Sequence, residues 1–439
     1  MAEERLHSTQ SDQCPRAVLV SLDLDDGTDV AASLQELERL ADTAGAQTVG
    51  TLVQARVRPD GATCLGKGKL MELALLCQEL SADLAIFDLE LSPMQIRNVE
   101  NALADGVRVI DRTMLILDIF AANARTAEGM LQVEIAELKY SIPRLIGSGR
   151  AMSRLGGGIG TRGPGESKLE LDRRRARERI GALEHQLREL EAKRLTQRKG
   201  REKAGMFQIA VAGYTNAGKS TLLNCLTGSD ILCADRLFAT LDPTTRRLRL
   251  PEAGEVLITD TVGFVDRLPH HLVEAFKSTL DEVCYADLLL VVLDASDEQM
   301  VQKFNTTTNI LQDLYRRRGL DPAPRLYVFN QCDKPQSQQV LANFYFDQNC
   351  VCVSALTGMG IEELCRKIET VLQEKKRRCV FCFPPQQGAG LSYLYRTSTV
   401  EEVSYDPQGN AIVRAVCDAK TRGMYAQYLI PQQEEGSQA

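Results

Sequence analysis

The sequence predicts a multidomain α/β protein, and three observations predict it. Apolar runs rich in Val, Ile and Leu recur between amphipathic stretches, the pattern of strands separated by helices and hence of parallel sheets. Four short polar motifs each end such a run between residues 207 and 355. A basic, glycine-rich segment separates two heptad patterns in the middle of the chain. At ~150 residues per domain, 439 residues allow about three domains. The composition, 44% hydrophobic and 25% charged, is ordinary for a soluble globular protein.

The first polar motif lies in FQIAVAGYTNAGKSTL, residues 207–222. Gly213, Gly218, Lys219 and Ser220 fit the spacing G-x-x-x-x-G-K-[ST] of a phosphate-binding loop. Glycines let backbone N–H groups curl around phosphate, Lys219 reaches the β- and γ-phosphates, and the Ser220 hydroxyl suits Mg²⁺. Asn216, Ala217 and Thr221 complete the loop and the start of the helix, whose positive dipole end faces the same anion. Asp260-Thr-Val-Gly263 ends Val256-Leu257-Ile258-Thr259, placing Asp260 for the Mg²⁺ shell and the Gly263 N–H for a γ-phosphate. Asn330-Gln-Cys-Asp333 ends another strand, where the Asp333 carboxylate can accept from guanine N1–H and N2–H₂; adenine offers neither donor. Ser354 and Ala355 end a fourth strand, where a backbone N–H can meet guanine O6. Four such motifs in order on alternating strands and helices predict a P-loop GTPase domain of Ras-like type over 205–375, binding GTP and GDP. Within it, FATLDPTTRR (238–247) is the mobile segment expected to bring Phe238 to the nucleotide and a threonine to the metal. Thr240 is the first choice, with Thr244 and Thr245 as alternatives. The expected catalytic groups are Lys219, Thr240 and Gly263, and the expected metal ligands Ser220, Thr240 and Asp260.

Residues 1–15 and 432–439 read as frayed ends around an N-terminal α/β domain (16–112), a helical region (113–204), the nucleotide domain and a small α+β domain (376–431). Strands are expected at 16–24, 48–57, 82–91 and 107–113. Gly66–Lys69 only loosely resembles a phosphate loop and is better read as a turn opening a helix. One long helix is expected over 114 to about 146, because Leu131, Ile135, Leu138, Ile142 and Leu145 advance by 4, 3, 4, 3. Ile180, Leu183, Leu187 and Leu190 mark a second, from about Ser167 to Lys203, and the two should pack as a long antiparallel helical hairpin. A further helix is expected at 268–283, and a hairpin around Asp406–Asn410 in the last domain.

Net charge is −7, yet residues 139–203 hold 18 Lys and Arg against 8 Asp and Glu. A basic patch in an acidic protein is the footprint of a polyanionic partner. The hairpin tip, 147–175, alternates glycines with Arg150, Arg154, Arg162 and Lys168, so backbone can press close to phosphates while guanidinium forks clamp them. Beyond it the run Arg173, Arg174, Arg175, Arg177 and Arg179 reads as lacking matching acids nearby, and RNA contact is expected there. No run of about 18 apolar residues exists, so no membrane helix is expected, nor is a secretory leader read at the start. Thirteen cysteines at irregular spacing, mostly within apolar elements, fit reduced thiols of a cytoplasmic protein better than a zinc site.

Taken together, the tip GGGIGTRGPGE with KLELDRRR, then GYTNAGKSTLLN, FATLDPTTRR, DTVGFVDRLPH and VSAL, resemble the HflX family of ribosome-associated GTPases over nearly the whole chain. The resemblance implies binding to the large ribosomal subunit and its rRNA, with the basic loop near the peptidyl-transferase centre, and splitting of stalled ribosomes under stress. It implies a monomer in the cytoplasm, with no DNA partner and no stable membrane association. The family pattern N-K-x-D is here Asn330-Gln331-Cys332-Asp333, which puts nucleotide affinity in question while keeping the base-reading Asp333. Phe264 stands where Ras-like enzymes place a water-orienting glutamine, so intrinsic hydrolysis should be slow. Asn216 resembles the loop asparagine of potassium-activated GTPases, which adds K⁺ to Mg²⁺ as a candidate ion. Competing readings are a large-subunit assembly GTPase, an RNA-remodelling ATPase using Gly66–Lys69, and a regulatory adaptor for a membrane protease.

Overall fold

In the computed structural model of the chain, the described residues are 14–25, 27–144, 164–203, 206–228, 237–238, 243–251, 254–265, 277–342, 344, 347–374, 377–417 and 419–430. They fall into two compact units: Met1–Ala192 with Leu232–Pro243 and Val262–Leu280, and Lys193–Ile231 with Thr244–Thr261 and Asp281–Ala439.

In the first unit, β1 (Arg16–Asp23), β2 (Gln47–Ala55), β3 (Leu84–Phe87) and β4 (Arg108–Asp111) form a parallel sheet in the order β2-β1-β3-β4. Helices α1 (Val30–Thr43) and α2 (Lys67–Glu79) connect its strands. The Asp29 carboxylate caps α1 by accepting from Ala32 N at 3.1 Å, and Leu37, Leu40 and Ala41 are its buried stripe. The turn reading of Gly66 holds: it is the N-cap of α2, and its N–H donates to Gln54 Oε1. One helix went unexpected. Ser92 and Gln95 make a capping box, with Pro93 at the first helical position, that opens α3 (Pro93–Glu100).

The single helix expected over 114–146 is two, α4 (Arg112–Asn123) and α5 (Ala127–Ser141). Ala124 turns to extended backbone and Thr126 Oγ1 accepts from Gly129 N at 3.0 Å, so a new N-cap breaks the run. On α5 it is Val133, Ile135, Ala136 and Tyr140 that are buried. The next helix, α6 (Pro164–Lys203), begins with proline at a position where its missing N–H costs nothing. Ala176 and Leu183 are its buried contacts, one heptad apart.

Behind the carboxyl ends of β1, β3 and β4 lies a buried polar cluster. The Arg112 guanidinium, 3% exposed, pairs with Asp88 at 2.8 Å and with Glu36, while Ser33 Oγ donates to Asp88 at 2.6 Å. Arg112→Ala would take from buried Asp88 the guanidinium it is paired with at 2.8 Å. We expect this to cost about 3–5 kcal/mol, read as an earlier first transition when the full-length chain is unfolded in urea.

In the second unit, β5 (Gln208–Gly213), β6 (Thr244–Leu250), β7 (Gly254–Asp260), β8 (Leu288–Asp294), β9 (Arg325–Asn330) and β10 (Cys350–Cys352) form one sheet in the order β10-β9-β8-β5-β7-β6. All pairs are parallel except β6 with β7. Leu288–Leu293 on β8 are at most 2% exposed, as a central strand covered on both faces requires. Helix α7 (Lys219–Thr227) follows β5, α8 (Lys277–Cys284) precedes β8, α9 (Met300–Arg318) follows β8 and α10 (Gln336–Leu341) follows β9. Of the helix expected at 268–283, residues 268–276 lie outside the described residues. Leu364, Ile368 and Leu372 of α11 (Ile361–Glu374) bury one face against the cluster built on Ile209, Val211 and Leu290.

The last domain pairs β11 (Arg377–Phe383), β12 (Thr399–Tyr405), β13 (Ala411–Cys417) and β14 (Leu429–Ile430) antiparallel, in the order β12-β13-β11-β14, with α12 (Gly388–Thr397) and α13 (Ala419–Met424). The expected hairpin is present, its turn tied by Asp406, whose carboxylate accepts from the backbone N–H groups of Gln408 and Asn410.

Candidate nucleotide site

Because β5, β7, β9 and β10 run parallel in one sheet, their carboxyl ends share an edge, and the motifs of the second unit collect there. Gly213 ends β5 at φ 155°, and a Cβ on it would meet the Val292 carbonyl oxygen at 2.2 Å. Gly218 sits at φ 81°, where a Cβ would meet Asn330 Nδ2 at 2.3 Å. Only glycine fits either position. Gly218 is also the N-cap of α7 and supplies no side-chain acceptor, so the first N–H groups of that helix are available to an anion. Asn216, between the two glycines, is exposed and holds a left-handed φ of 61°.

Asn330 ties three motifs together. Its Nδ2 donates to the Ala217 carbonyl at 3.1 Å, and its Oδ1 accepts from Ala355 N at 3.0 Å. Asp333 projects exposed beyond it, and Ser354 is buried. Gln331, also left-handed at φ 64°, donates through Nε2 to Asp294 Oδ2 at 2.9 Å. The neutral amide thus has a fixed partner at the end of β8. Asp294 was not singled out from sequence; the signal was a carboxylate closing the all-apolar run Leu288–Leu293.

Ser220 Oγ donates to Asp260 Oδ2 at 2.6 Å, so a hydroxyl and a carboxylate stand side by side where phosphate-loop helix and β7 meet. Both are hard oxygen donors, a set that fits Mg²⁺. Lys219, 6% exposed, donates through Nζ to the Tyr214 carbonyl at 2.8 Å. Burial brings its pKa down to about 8, with Asp260 opposing the shift. A triphosphate needs the charged ammonium, so affinity should be flat below pH 8 and fall up to about tenfold per unit above it. Binding at pH 8 should take up about half a proton, and almost none at pH 6. Calorimetry with GDP in buffers of differing ionisation enthalpy reads this directly.

Other expected residues sit as follows. Phe238 is 3% exposed at φ 55° within the first unit, its ring edge-on to Phe120 at 4.6 Å and its carbonyl accepting from Asn123 Nδ2. Leu237 N donates to Thr43 Oγ1 there. Phe238 thus forms a buried aromatic pair with Phe120. Thr240 lies outside the described residues, and Gly263 is buried just past β7. Of the alternatives, Thr244 and Thr245 both lie on β6, and Thr245 Oγ1 is hydrogen-bonded to Thr259 Oγ1 at 2.9 Å. Thr221 is half-buried on α7 and Ala217 is 2% exposed.

Arg150, Arg154 and Arg162 lie outside the described residues, and Lys168 is on α6. The expectation that the arginine run lacks matching acids is corrected. Arg173 pairs with Glu170, Arg174 with Glu178, Arg175 with Asp172, Arg177 with Glu170 and Arg179 with Glu134. Arg173, Arg174 and Arg175 stand three or four residues from their acids and Arg177 seven from Glu170, so the helix period brings them together. Exposed pairs of this kind are worth roughly 0–1 kcal/mol each and can open to a stronger anion.

Residues 31–121 match the family model described as GTP-binding GTPase N-terminal, 123–201 the GTP-binding GTPase Middle Region, and 208–331 the 50S ribosome-binding GTPase. The chain is 48% identical over 391 residues to the GTPase HflX of Caldanaerobacter subterraneus subsp. tengcongensis, covering 89% of each. It is 39% identical over 400 residues to that of Escherichia coli K12, covering 90% of this chain and 92% of the other. A GTP-binding protein of Sulfolobus solfataricus, solved in complex with GDP, aligns over 82% of this chain and 99% of its own at 22% identity and a TM-score of 0.43. The two HflX relatives, at 48% and 39% identity over about nine-tenths of the chain, make it a member of the HflX family of GTPases, and it binds guanine nucleotide and hydrolyses GTP.

Proposed function

We propose that the protein binds the large ribosomal subunit in its GTP form, splits stalled or idle ribosomes, and is released when GTP is hydrolysed. The observation that carries this reading is the match of 208–331 to a 50S ribosome-binding GTPase. The glycine- and arginine-rich stretch 147–175 supports it by supplying the groups that press on and clamp rRNA phosphates. Arg150, Arg154, Arg162, Lys168 and Arg173–Arg175 are the proposed contacts.

In the nucleotide site, Lys219 holds the β- and γ-phosphates, the N–H groups at the start of α7 take their oxygens, and Asp333 reads guanine. Ser220, Asp260 and Thr240 are the groups that would hold Mg²⁺, which when bound neutralises charge on the phosphate oxygens. Asn216 is the candidate group for K⁺. Phe264, 2% exposed and without a polar side-chain atom, cannot orient the attacking water. The missing positioning group is therefore placed on the ribosome.

Residues 237–238 follow the phosphate-loop helix in sequence yet are held by Thr43, Phe120 and Asn123 of the first unit. This supports a cycle in which the nucleotide state of that segment is felt by the N-terminal domain. On this reading the binding energy does the splitting and hydrolysis resets the protein. No helix among the described residues is long and apolar enough to cross a membrane, and we propose a cytoplasmic monomer.

Purified ribosomes sedimented through a sucrose gradient test the proposal. GTP and a non-hydrolysable GTP analogue should both yield separated subunits, and GDP should not. Ribosomes left intact in both triphosphate states would overturn the splitting function; preferential binding to immature large particles would favour the assembly reading instead.

A further inference from the structure

Two cysteines meet where guanine is read. Cys332 belongs to Asn330-Gln-Cys-Asp333, and Cys352 closes β10 two residues before Ser354. Cys352 pairs in register with Phe329, and the chain beyond Phe329 curls back so that Cys332 N donates to the Val353 carbonyl at 3.1 Å. The Cys332 thiol donates to the Phe329 carbonyl oxygen at 3.1 Å, and the register and the Cys332 N–Val353 O bond bring Cys332 beside Cys352. Both are free and only half-buried, so a small oxidant can reach them.

We propose that Cys332 and Cys352 are a peroxide-responsive dithiol whose closure to a disulfide lowers the affinity of the guanine site. The inference rests on the guanine-nucleotide reading of that site and adds a means of regulating it. The chemistry of the pair is graded in the direction required. Burial pushes the thiols of Cys64, Cys77 and Cys350 up to about 11. Cys352 is instead brought down to about 7, first by the neighbouring Cys332 thiol and against the effect of burial, with Lys367 assisting. The neighbour keeps its proton and stabilises the thiolate, an arrangement that makes one cysteine of a pair the attacking nucleophile.

The steps balance. The Cys352 thiolate attacks one oxygen of a hydroperoxide, breaking the O–O bond; it becomes a sulfenic acid, and the departing oxygen takes a proton as water or alcohol. Cys332 sulfur then attacks the Cys352 sulfur, forming the S–S bond and releasing the sulfenic hydroxyl with the Cys332 proton as water. Two thiols lose two electrons and one peroxide is reduced. A small dithiol reverses the change.

A disulfide holds its sulfurs at about 2 Å, well inside thiol hydrogen-bond range, so closure pulls the Cys332 loop onto the end of β10. Asp333 adjoins Cys332, and Ala355 N is already engaged with Asn330 Oδ1. The pull therefore acts on both sides of the base site at once.

The test uses the full-length chain, reduced and then treated with hydrogen peroxide, with peptide mapping by mass spectrometry without reductant and titration with a fluorescent GDP analogue. We expect a peptide cross-linked between Cys332 and Cys352, GDP binding weakened at least tenfold, and recovery with dithiothreitol. Cys352→Ser should keep its affinity through peroxide treatment. Cys332→Ser should trap a sulfenic acid on Cys352 that a dimedone probe labels. Absence of the 332–352 cross-link in the unsubstituted protein, or its presence with unchanged affinity, overturns the proposal. The reduced protein, titrated with GDP and with ADP, separates the two layers: failure to prefer GDP there sinks the guanine reading, while the cross-link map still judges the dithiol.

Discussion

Lys219→Ala is expected to lower kcat/KM for GTP by about 10²–10³-fold, the range for removing one preorganised donor to a charge-bearing oxygen. The free protein should fold almost as well as before. Its ammonium is buried and held by a single hydrogen bond to the Tyr214 carbonyl, and desolvation already disfavours its charge. The variant should thus show a melting temperature within a few degrees of the parent and almost no protection from added GDP. Parallel losses of melting temperature and turnover would mean that Lys219 is chiefly structural, against this account.

The second large effect is expected at Asn330. Asn330→Ala removes the donor to the Ala217 carbonyl and the acceptor for Ala355 N, both in the interior. Leaving two buried backbone groups without partners costs about 1–3 kcal/mol each. Because those groups belong to the phosphate loop and to the strand end proposed to meet guanine, most of this cost should appear in binding, as a rise in the dissociation constant for GDP on the order of 10²-fold. Titration with a fluorescent GDP analogue reads it, and an affinity within threefold of the parent would show that Asn330 is no strut.

Much of the site was legible because local chemistry forces it. Gly213 and Gly218 have backbone conformations and close neighbours that admit no side chain, and such positions announce themselves as fixed glycines in a motif. Val256–Asp260 and Leu326–Asn330 are apolar runs ending in a polar residue, so the sheet edge to which they deliver Asp260 and Asn330 follows from strand polarity. What stayed hidden depends on side-chain direction or on pairing distant in sequence. The Gln331–Asp294 hydrogen bond requires β8 and β9 to be neighbours. Cys332 and Cys352 are 20 positions apart in sequence and meet only because β10 pairs with β9. Phe238 reads as part of a nucleotide-side segment, yet its aromatic partner, Phe120, comes from the N-terminal domain. The break between α4 and α5 carries neither proline nor glycine; Thr126 with its side-chain cap, in a stretch without Leu or Ile between Ile119 and Leu131, was the available sign. The acids that pair with Arg173–Arg177 were in plain sight at helical spacing, and a charge count over the segment passed over them.

In the proposed cycle Phe264 leaves the hydrolytic site incomplete until the large ribosomal subunit completes it. Multiple-turnover GTP hydrolysis, measured with the protein alone and with purified mature large subunits in potassium buffer, tests it most directly. A slow rate alone that rises at least tenfold with the subunits is the predicted result. Equal rates under the two conditions, with GDP and GTP binding intact, would contradict it.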